Sequence, residues 1–254
     1  MRRGLHVTQV LLVTGGGRGI GAATALLAGQ RGYAVAVNYT ADAASASSVV
    51  ERIRADGGRA FAVQADVSDE AQVLAMYARV DRELGLLTAL VNNAGVVDSS
   101  QRVDEQSLAR WQRMFAINVF GTLLCSREAV KRMSTRHGGQ GGAIVNLSSV
   151  AAQLGGAGQY VDYAAAKGAV DTFTRGLARE VATEGIRVNA VRPGVIETDI
   201  HASGGQPDRA QRMAGMIPMQ RPGTAREIAQ AILWLLSNEA GYATGAVLDV
   251  SGGR

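Results

Sequence analysis

The 254-residue chain contains one cysteine, Cys125, so no internal disulfide can form. That absence fits a reducing compartment, and a cytoplasmic location is expected. Cys125 lies in the apolar helical stretch FGTLLCSREAV, which favours a buried small side chain over a nucleophile. An excess of one charge is also missing: 26 Lys and Arg are interleaved with 22 Asp and Glu, for a net charge of +4. No basic stripe carries stacking aromatics, which are only 5% of the residues, so no nucleic-acid partner is expected. Long apolar runs are absent too. After the basic start Met1-Arg2-Arg3, the run VLLV is four residues long and breaks at a glycine cluster, too short for an export signal or a membrane span. The three histidines, His6, His137 and His201, share no ligand spacing, so no metal centre is expected.

What the chain does have is 47% apolar residues and 32 glycines. The first argue against disorder; the second suit tight βα turns and close helix–sheet packing. No internal repeat or long polar linker divides the sequence. Residues 1–254 therefore read as a single catalytic domain, able to bury roughly 75% of the unfolded chain's surface. Seven short, β-branched-rich runs read as strands: HVTQVLLV, YAVAVNY, AFAVQA, TALVN, GAIVNL, IRVNAV and GAVLDV. Between them lie segments of helical length such as DEAQVLAMYARVDREL and AREIAQAILWLLS, the latter opened by Thr224 and Glu227 at capping-box spacing. Strand–helix alternation with nearly continuously apolar strands predicts an α/β fold whose parallel sheet carries helices on both faces. Residues 199–223 break the rhythm and read as a substrate lid. Met213, Met216, Ile217 and Met219 within it form either an adaptable apolar cover or simple packing onto the body.

VLLVTGGGRGIGAATALLAGQ is a buried strand, a glycine loop and a helix in succession. Backbone N–H groups of such a loop can approach a pyrophosphate, and the helix N-terminus adds partial positive charge. Gly15 would make the turn, Gly19 would permit close cofactor approach, and Gly21 would let the helix pack on the strand. The spacing is G-x-x-x-G-x-G, not G-x-G-x-x-G, so the strand-before, helix-after context carries the nucleotide reading. An NAD enzyme generally places an acid near the end of the second strand, to accept from the ribose 2′-OH. Here that strand ends in Asn38-Tyr39-Thr40. Arg18 would instead meet a 2′-phosphate, so NADP(H) is favoured over NAD(H). The other reading of Arg18 is a solvated loop arginine, and Asp42 nearby counts against the phosphate.

Tyr163 and Lys167 are four apart in a helical stretch, on one face and about 6 Å apart along the axis. Tyrosine, with a reference pKa of about 10, is a poor base, and a neighbouring ammonium would lower that pKa toward a useful range. Alone, a Y-x-x-x-K pair carries little weight. Ser148-Ser149 before it and the phosphate loop upstream give it meaning.

The motifs fall in a fixed order: TGGGRGIG at 14–21, ADV at 65–67, NNAG at 92–95, Asn118 in AINVFG, NLSS at 146–149, YAAAK at 163–167 and RPGVIETDI at 192–200. In these the chain resembles the short-chain dehydrogenase/reductase family, of the compact single-domain type, over essentially its whole length. The resemblance implies a doubly wound Rossmann fold with a seven-stranded parallel sheet, and an NAD(P)-dependent oxidoreductase acting on CH–OH groups. It also implies a role for each matched residue. Tyr163 would protonate the forming alkoxide or deprotonate the alcohol. Lys167 would lower the Tyr163 pKa and hold the nicotinamide ribose. Ser149 would donate to the substrate oxygen, and Asn118 would fix a water near Lys167. Gly15, Gly17, Arg18, Gly19, Ile20 and Gly21 would form the phosphate loop, with Asn38, Tyr39 and Thr40 at the adenosine ribose. Asp66 and Val67 would contact the adenine, and Asn92, Ala94 and Gly95 would line the cleft beside its ribose. Pro193, Gly194, Ile196 and Thr198 would position the carboxamide. Ser149 precedes Tyr163 by fourteen positions, one more than in much of the family, and Ser148 is adjacent. Which hydroxyl faces the cleft is therefore open, and Ser149 is chosen because it opens the SVAA segment. Tyr160 has Ala164, not lysine, four residues on.

The expected substrate is a small-molecule carbonyl or alcohol, chosen by residues 151–160 and 199–223. An acyl-carrier partner, as in the 3-oxoacyl reductases of this family, would need basic residues at the cleft mouth. Arg136 fits one such place while Glu184 occupies another, which ranks a small free carbonyl, polyol or sugar higher. The overall character also resembles bacterial glucose-1-dehydrogenase-like members, although fold and motif do not fix substrate. The family implies a homotetramer built on the helices at 118–132 and 163–184 and on the C-terminal strand. The main alternative is a non-catalytic NADP(H)-binding sensor or scaffold, against which the joint presence of Asn118, Ser149, Tyr163 and Lys167 counts. A glycine-loop methyltransferase gives no reason for YAAAK or NNAG.

Overall fold

Strand β1, Val10–Val13, is VLLV with every residue buried. Successive strand side chains point to opposite faces, so Leu11 and Val13 enter one apolar cluster while Val10 and Leu12 enter another. The rest of the sheet repeats this division in a computed structural model that describes residues 9–200 and 204–254. Strands β2 (Ala34–Tyr39), β3 (Ala60–Gln64), β4 (Ala89–Asn92), β5 (Gly142–Leu147) and β6 (Ile186–Pro193) follow in sequence. A short parallel pair comes next, β7 (Ile196–Glu197) with β8 (Gly223–Thr224), and β9 (Val247–Val250) closes the series. The seven long strands form one parallel sheet in the order β3-β2-β1-β4-β5-β6-β9. These are the seven runs expected from the sequence. The start of the first run, including His6, lies outside the described residues.

Helices α1 (Gly19–Gln30), α2 (Ala43–Ala55), α3 (Glu70–Leu84), α4 (Leu108–Phe115) and α5 (Gly121–Met133) are followed by α6 (Ala151–Leu154), α7 (Val161–Val181), α8 (Arg209–Met213) and α9 (Ala225–Leu236). Ala25, Val49, Ile53, Ile228 and Ile232 place α1, α2 and α9 on one face; Met76, Tyr77, Ala129, Met133 and Val181 place α3, α5 and α7 on the other. Each large apolar side chain so buried contributes about 1.5–3 kcal/mol relative to exposure. The expected capping box opens α9: Glu227 N–H donates to Thr224 Oγ1 at 3.2 Å and Thr224 N–H to Glu227 Oε2 at 2.8 Å. Cys125 is fully buried, and burial pushes its thiol up to about 12, which fits an inert packing role.

The stretch 199–223 was expected to hold no strand, yet its last residue starts β8. Glycine explains it: Gly223 N–H donates to Val195 O at 2.9 Å, and a Cβ there would come within 2.7 Å of Ile196 Cδ1. Among the described residues no helix is long and apolar enough to cross a membrane. The connections leave β1 toward β2 on one side and β4 on the other. The loops after β1 and β4 therefore diverge and open a crevice at the carboxyl ends of the strands, the usual ligand position in such sheets.

Candidate active site

Gly15 and Gly19 have φ of +60° and +54°, backbone that favours glycine, and they wrap the loop between β1 and α1. Gly15 N–H donates to Asn38 Oδ1 at 3.1 Å and Gly16 N–H to Asn38 O at 2.8 Å. The Asn38 amide in turn donates to Ala65 O at 3.0 Å. Asn38 is thus consumed in stitching the loop to β2 and β3, a correction to its expected place at the cofactor ribose. Tyr39 is half-buried, and exposed Thr40 donates to Ala65 O at 3.4 Å. A Cβ on Gly21 would lie 2.5 Å from Asn93 Nδ2 and clash with Gly15 O, so this glycine lets α1 approach the loop itself and not the strand. Gly17 backs onto the first turn of α2, where a Cβ would meet Ala46 N at 3.2 Å.

The first turn of α1 contains no acid, and its cap Arg18 makes no side-chain capping bond. Amides left open this way fit a phosphate group. Arg18 is exposed beside Asp42. The Asp42 carboxylate caps α2, accepting from Ser45 N–H at 2.9 Å and from the Ser45 hydroxyl at 2.5 Å, which holds its pKa below the ordinary value. Asp66 accepts from Ser68 N–H at 2.9 Å and from its hydroxyl at 2.7 Å, while the Val67 side chain packs against Gly121.

At the end of β4 the alternation of the strand decides which asparagine faces the crevice. Asn92 is buried among β4, α5 and β5, donating to Ser126 Oγ at 2.9 Å and Asn146 Oδ1 at 2.8 Å. It does not line the cavity. Asn93 does, and its amide donates to Thr14 O and Gly15 O, each at 2.9 Å. The expected cleft residue Asn92 is therefore corrected to Asn93. Ala94 N–H donates to Thr14 Oγ1 at 3.0 Å, fastening the same loop to the end of β1.

Asn118 sits in a π-helical turn, Ala116–Phe120, between α4 and α5. Such turns recur at functional sites. Its amide Oδ1 accepts from Val96 N–H at 3.1 Å and its Nδ2 donates to Val96 O at 3.0 Å. The Asn118 side chain thus holds the loop after β4, and a Cβ on Gly95 would lie 2.6 Å from Asn118 Oδ1 and 3.5 Å from Lys167 Nζ.

Tyr163 and Lys167 lie on the first turns of α7. Lys167 Nζ donates to Leu147 O at 2.7 Å and stands 5.7 Å from the centre of the Tyr163 ring. Burial pushes Tyr163 up to about 12 against the lowering effect of a bond with the Ser149 hydroxyl, and pushes Lys167 down to about 8 against the charge of Asp171. Burial therefore outweighs the expected lowering of the Tyr163 pKa toward a useful range, and the Lys167 ammonium bonds a backbone carbonyl. Ser148 is buried, donating to Lys167 O at 3.3 Å, whereas the Ser149 hydroxyl bonds Tyr163 and accepts from Ala151 N–H at 3.1 Å. Ser149 is the hydroxyl at the tyrosine.

Asn118, Ser149, Tyr163 and Lys167 share a cavity of about 410 Å³ with Ile20, Gly95, Pro193, Gly194, Ile196 and Thr198. Gly15, Gly17, Arg18, Gly19, Gly21, Asp66, Val67 and Ala94 lie outside its lining. Of the two readings of the apolar residues within 199–223, packing onto the body fits Met213 and Ile217, which cluster with Val195 and Ala210. Met216 and Met219 are 68% and 61% exposed, and none of the four lines the cavity. Polar residues do: Gln206 donates to Ser100 Oγ at 2.8 Å across the crevice mouth, and Arg209 bonds the Tyr160 hydroxyl. His201, within this segment, lies outside the described residues. Arg136 and Glu184, expected at the cleft mouth, flank the starts of β5 and β6, at the amino ends of the strands and opposite the cavity, and pair with each other at 4.0 Å. The sequence reading also missed the buried pair of Arg110 with Asp162, which leaves no mark in local spacing.

The family model described as "Enoyl-(Acyl carrier protein) reductase" matches residues 15–254. The uncharacterized oxidoreductase YgfF of Escherichia coli is 56% identical, over 96% of this chain and 99% of its own length. The 3-oxoacyl-[acyl-carrier-protein] reductase FabG of Staphylococcus aureus is 39% identical, over 98% and 99%. A solved short-chain dehydrogenase of Burkholderia cenocepacia, in complex with NADP, has a TM-score of 0.88 at 33% identity, covering 96% of this chain and 97% of that one. With the parallel seven-stranded fold and the cavity that gathers serine, tyrosine and lysine, these likenesses show that the chain belongs to the short-chain dehydrogenase/reductase family and is an oxidoreductase acting on CH–OH or carbonyl groups.

Proposed function

We propose that this chain is an NADP(H)-dependent oxidoreductase that moves a hydride between the nicotinamide and a carbonyl or secondary alcohol carbon, with Tyr163 as acid/base. The supporting observation is the convergence of Ser149, Tyr163, Lys167 and Asn118 on one cavity beside an uncapped helix N-terminus. When bound, the nicotinamide gives or takes the hydride, and the protein supplies position and a proton. Tyr163, held near 12 by burial, is a phenol at neutral pH and gives its proton to the forming alkoxide. The Ser149 hydroxyl donates to the same substrate oxygen. Lys167 stands beside Tyr163 with protons to spare for the nicotinamide ribose. Asn118 acts through Val96, keeping the loop after β4 against the cleft.

Gly15, Gly17, Gly19 and the start of α1 would hold the pyrophosphate, and Arg18 the 2′-phosphate. NADP(H) over NAD(H) is further supported by Asp42, whose carboxylate is engaged by Ser45 and is poorly placed to claim a ribose 2′-OH. The NADP complex of the Burkholderia relative points the same way. The substrate is a small free molecule, since the cavity is modest and Arg136 is remote from its mouth. We also read the chain as one cytoplasmic catalytic domain with a lid at 199–223. It is read as a homotetramer, which would cover Leu108 and Phe120, 64% and 56% exposed on the α4–α5 side.

The test is a panel of small ketones, aldehydes and secondary alcohols, run with both cofactors and followed at the nicotinamide absorbance. Turnover with NADPH or NADP at higher kcat/KM than with the non-phosphorylated cofactor is expected. Tight NADPH binding without turnover of any member would instead favour the sensor reading.

A further inference from the structure

The cavity at Tyr163 has more positive charge than the oxidoreductase chemistry uses. Arg209 lines it from α8, half-buried, with its guanidinium 5.2 Å from the centre of the Tyr160 ring. It donates to the Tyr160 hydroxyl and, at 3.4 Å, to Gln206 Oε1, both neutral acceptors. Tyr160 in turn meets Tyr163 edge-on, with ring centres 5.9 Å apart. Two ring contacts thus separate this cation from the group at the reacting oxygen.

Arg254 lines the same cavity, and its Nη1 is buried with no hydrogen-bond partner. A guanidinium carries five N–H donors and stays charged at any working pH. A buried donor of that kind without a partner costs free energy, which an anion in the cavity would recover. The carboxylates present do not answer this need. Asp98 is the one acidic side chain lining the cavity among the described residues. It already accepts from Ser99 N–H at 2.8 Å and pairs with Arg113 at 3.4 Å. Lys167 gives one proton to Leu147 O, is faced by Asp171, and has its remaining protons assigned to the nicotinamide ribose by the oxidoreductase reading. The cofactor phosphates do not answer it either. They belong at the glycine loop, whereas Arg209 joins Tyr160 and Gln206, and the turn before Arg254 packs through Gly252 and Gly253 on Ile217 and Pro218. Both arginines sit on the lid side.

We propose that the substrate carries a carboxylate apart from its reacting carbon, and that Arg209 and Arg254 bind it, with Tyr160 fixing the Arg209 plane. The inference rests on the oxidoreductase reading above and adds the class of substrate. A planar fork matches a carboxylate with two parallel bonds, and in a partly desolvated cavity such bonds are stronger than at a surface.

Matched pairs test it: benzoylformate, acetoacetate and levulinate, each against its methyl ester, which keeps the ketone and removes the charge. Two readouts are taken. The first is kcat/KM for NADPH-dependent reduction, and the second is the melting shift each compound gives to the NADPH-bound protein. At least one acid is expected to exceed its ester by about tenfold in kcat/KM and to stabilise the protein more at equal concentration. Arg209→Gln and Arg254→Gln should bring both acid-to-ester ratios toward one, while Arg209→Lys keeps part of the preference. The ratio is internal to each variant, so partial misfolding does not mimic the result. Turnover of the pairs with no acid preference in either readout overturns the carboxylate site and leaves the oxidoreductase reading intact. Acid-selective stabilisation that depends on Arg209, without turnover of any pair, supports the anion site and counts against hydride transfer.

Discussion

Asp162, the residue before Tyr163, is held by Arg110 through two bonds, Nε to Oδ2 at 2.7 Å and Nη2 to Oδ1 at 3.2 Å, with both side chains buried. Arg110 also donates to Ser99 O at 2.7 Å and Gln101 Oε1 at 2.9 Å. One guanidinium therefore ties the start of α7 to the loop that walls the cavity. Arg110→Ala would strand a buried carboxylate, and a loss of about 3–5 kcal/mol is expected. Denaturant melts compared with wild type measure it; a loss near that of a surface pair would show that the contact is not formed in solution.

The two buried titrating groups set a pH dependence. In the free enzyme Lys167 is pushed down to about 8 and Tyr163 up to about 12. Carbonyl reduction needs the phenol and, beside it, the ammonium. Its kcat/KM should hold below pH about 8 and fall above, as Lys167 loses its proton. Alcohol oxidation needs the phenolate and should climb through the same alkaline range. Asp171 raises the Lys167 pKa, so Asp171→Asn should move the falling limb to lower pH. A limb that stays in place would remove Lys167 from the profile.

Gly95, in the loop after β4, faces both Asn118 and Lys167. Gly95→Ala would place a methyl 2.6 Å from Asn118 Oδ1, forcing that amide or the loop to shift. A displacement of about 1 Å near reacting groups costs on the order of 10²-fold in rate. Steady-state kinetics should show the loss mainly in kcat, with the melting temperature little changed.

Cofactor choice turns on Arg18. If it meets the 2′-phosphate, Arg18→Ala should raise the KM for NADPH about tenfold or more, the worth of one charge-assisted bond, and leave NADH kinetics alone. Equal effects on both cofactors would make Arg18 a solvated loop residue.

The strands were legible because a parallel sheet buried on both faces needs apolar runs such as VLLV and AVAVNY, and glycine clusters mark where they stop. The chemistry-bearing motifs were legible because they fall in a fixed order along the chain, which gives weight to a Tyr163–Lys167 spacing that carries little alone. Contacts between residues far apart in sequence were not. Arg110 with Asp162 is 52 residues apart and Gln206 with Ser100 is 106, and neither leaves a periodic trace. The choice between Asn92 and Asn93 depended on where β4 ends, and one position flips the face. The direction of the Tyr163 shift depended on burial depth, which four-residue spacing does not carry.

The most direct test of the central claim is Tyr163→Phe, assayed for NADPH-dependent carbonyl reduction alongside NADPH binding. Removing a general acid should lower kcat by about 10²–10⁴-fold, with NADPH affinity essentially that of wild type. A variant that binds NADPH normally and keeps most of its turnover would contradict Tyr163 as the proton donor.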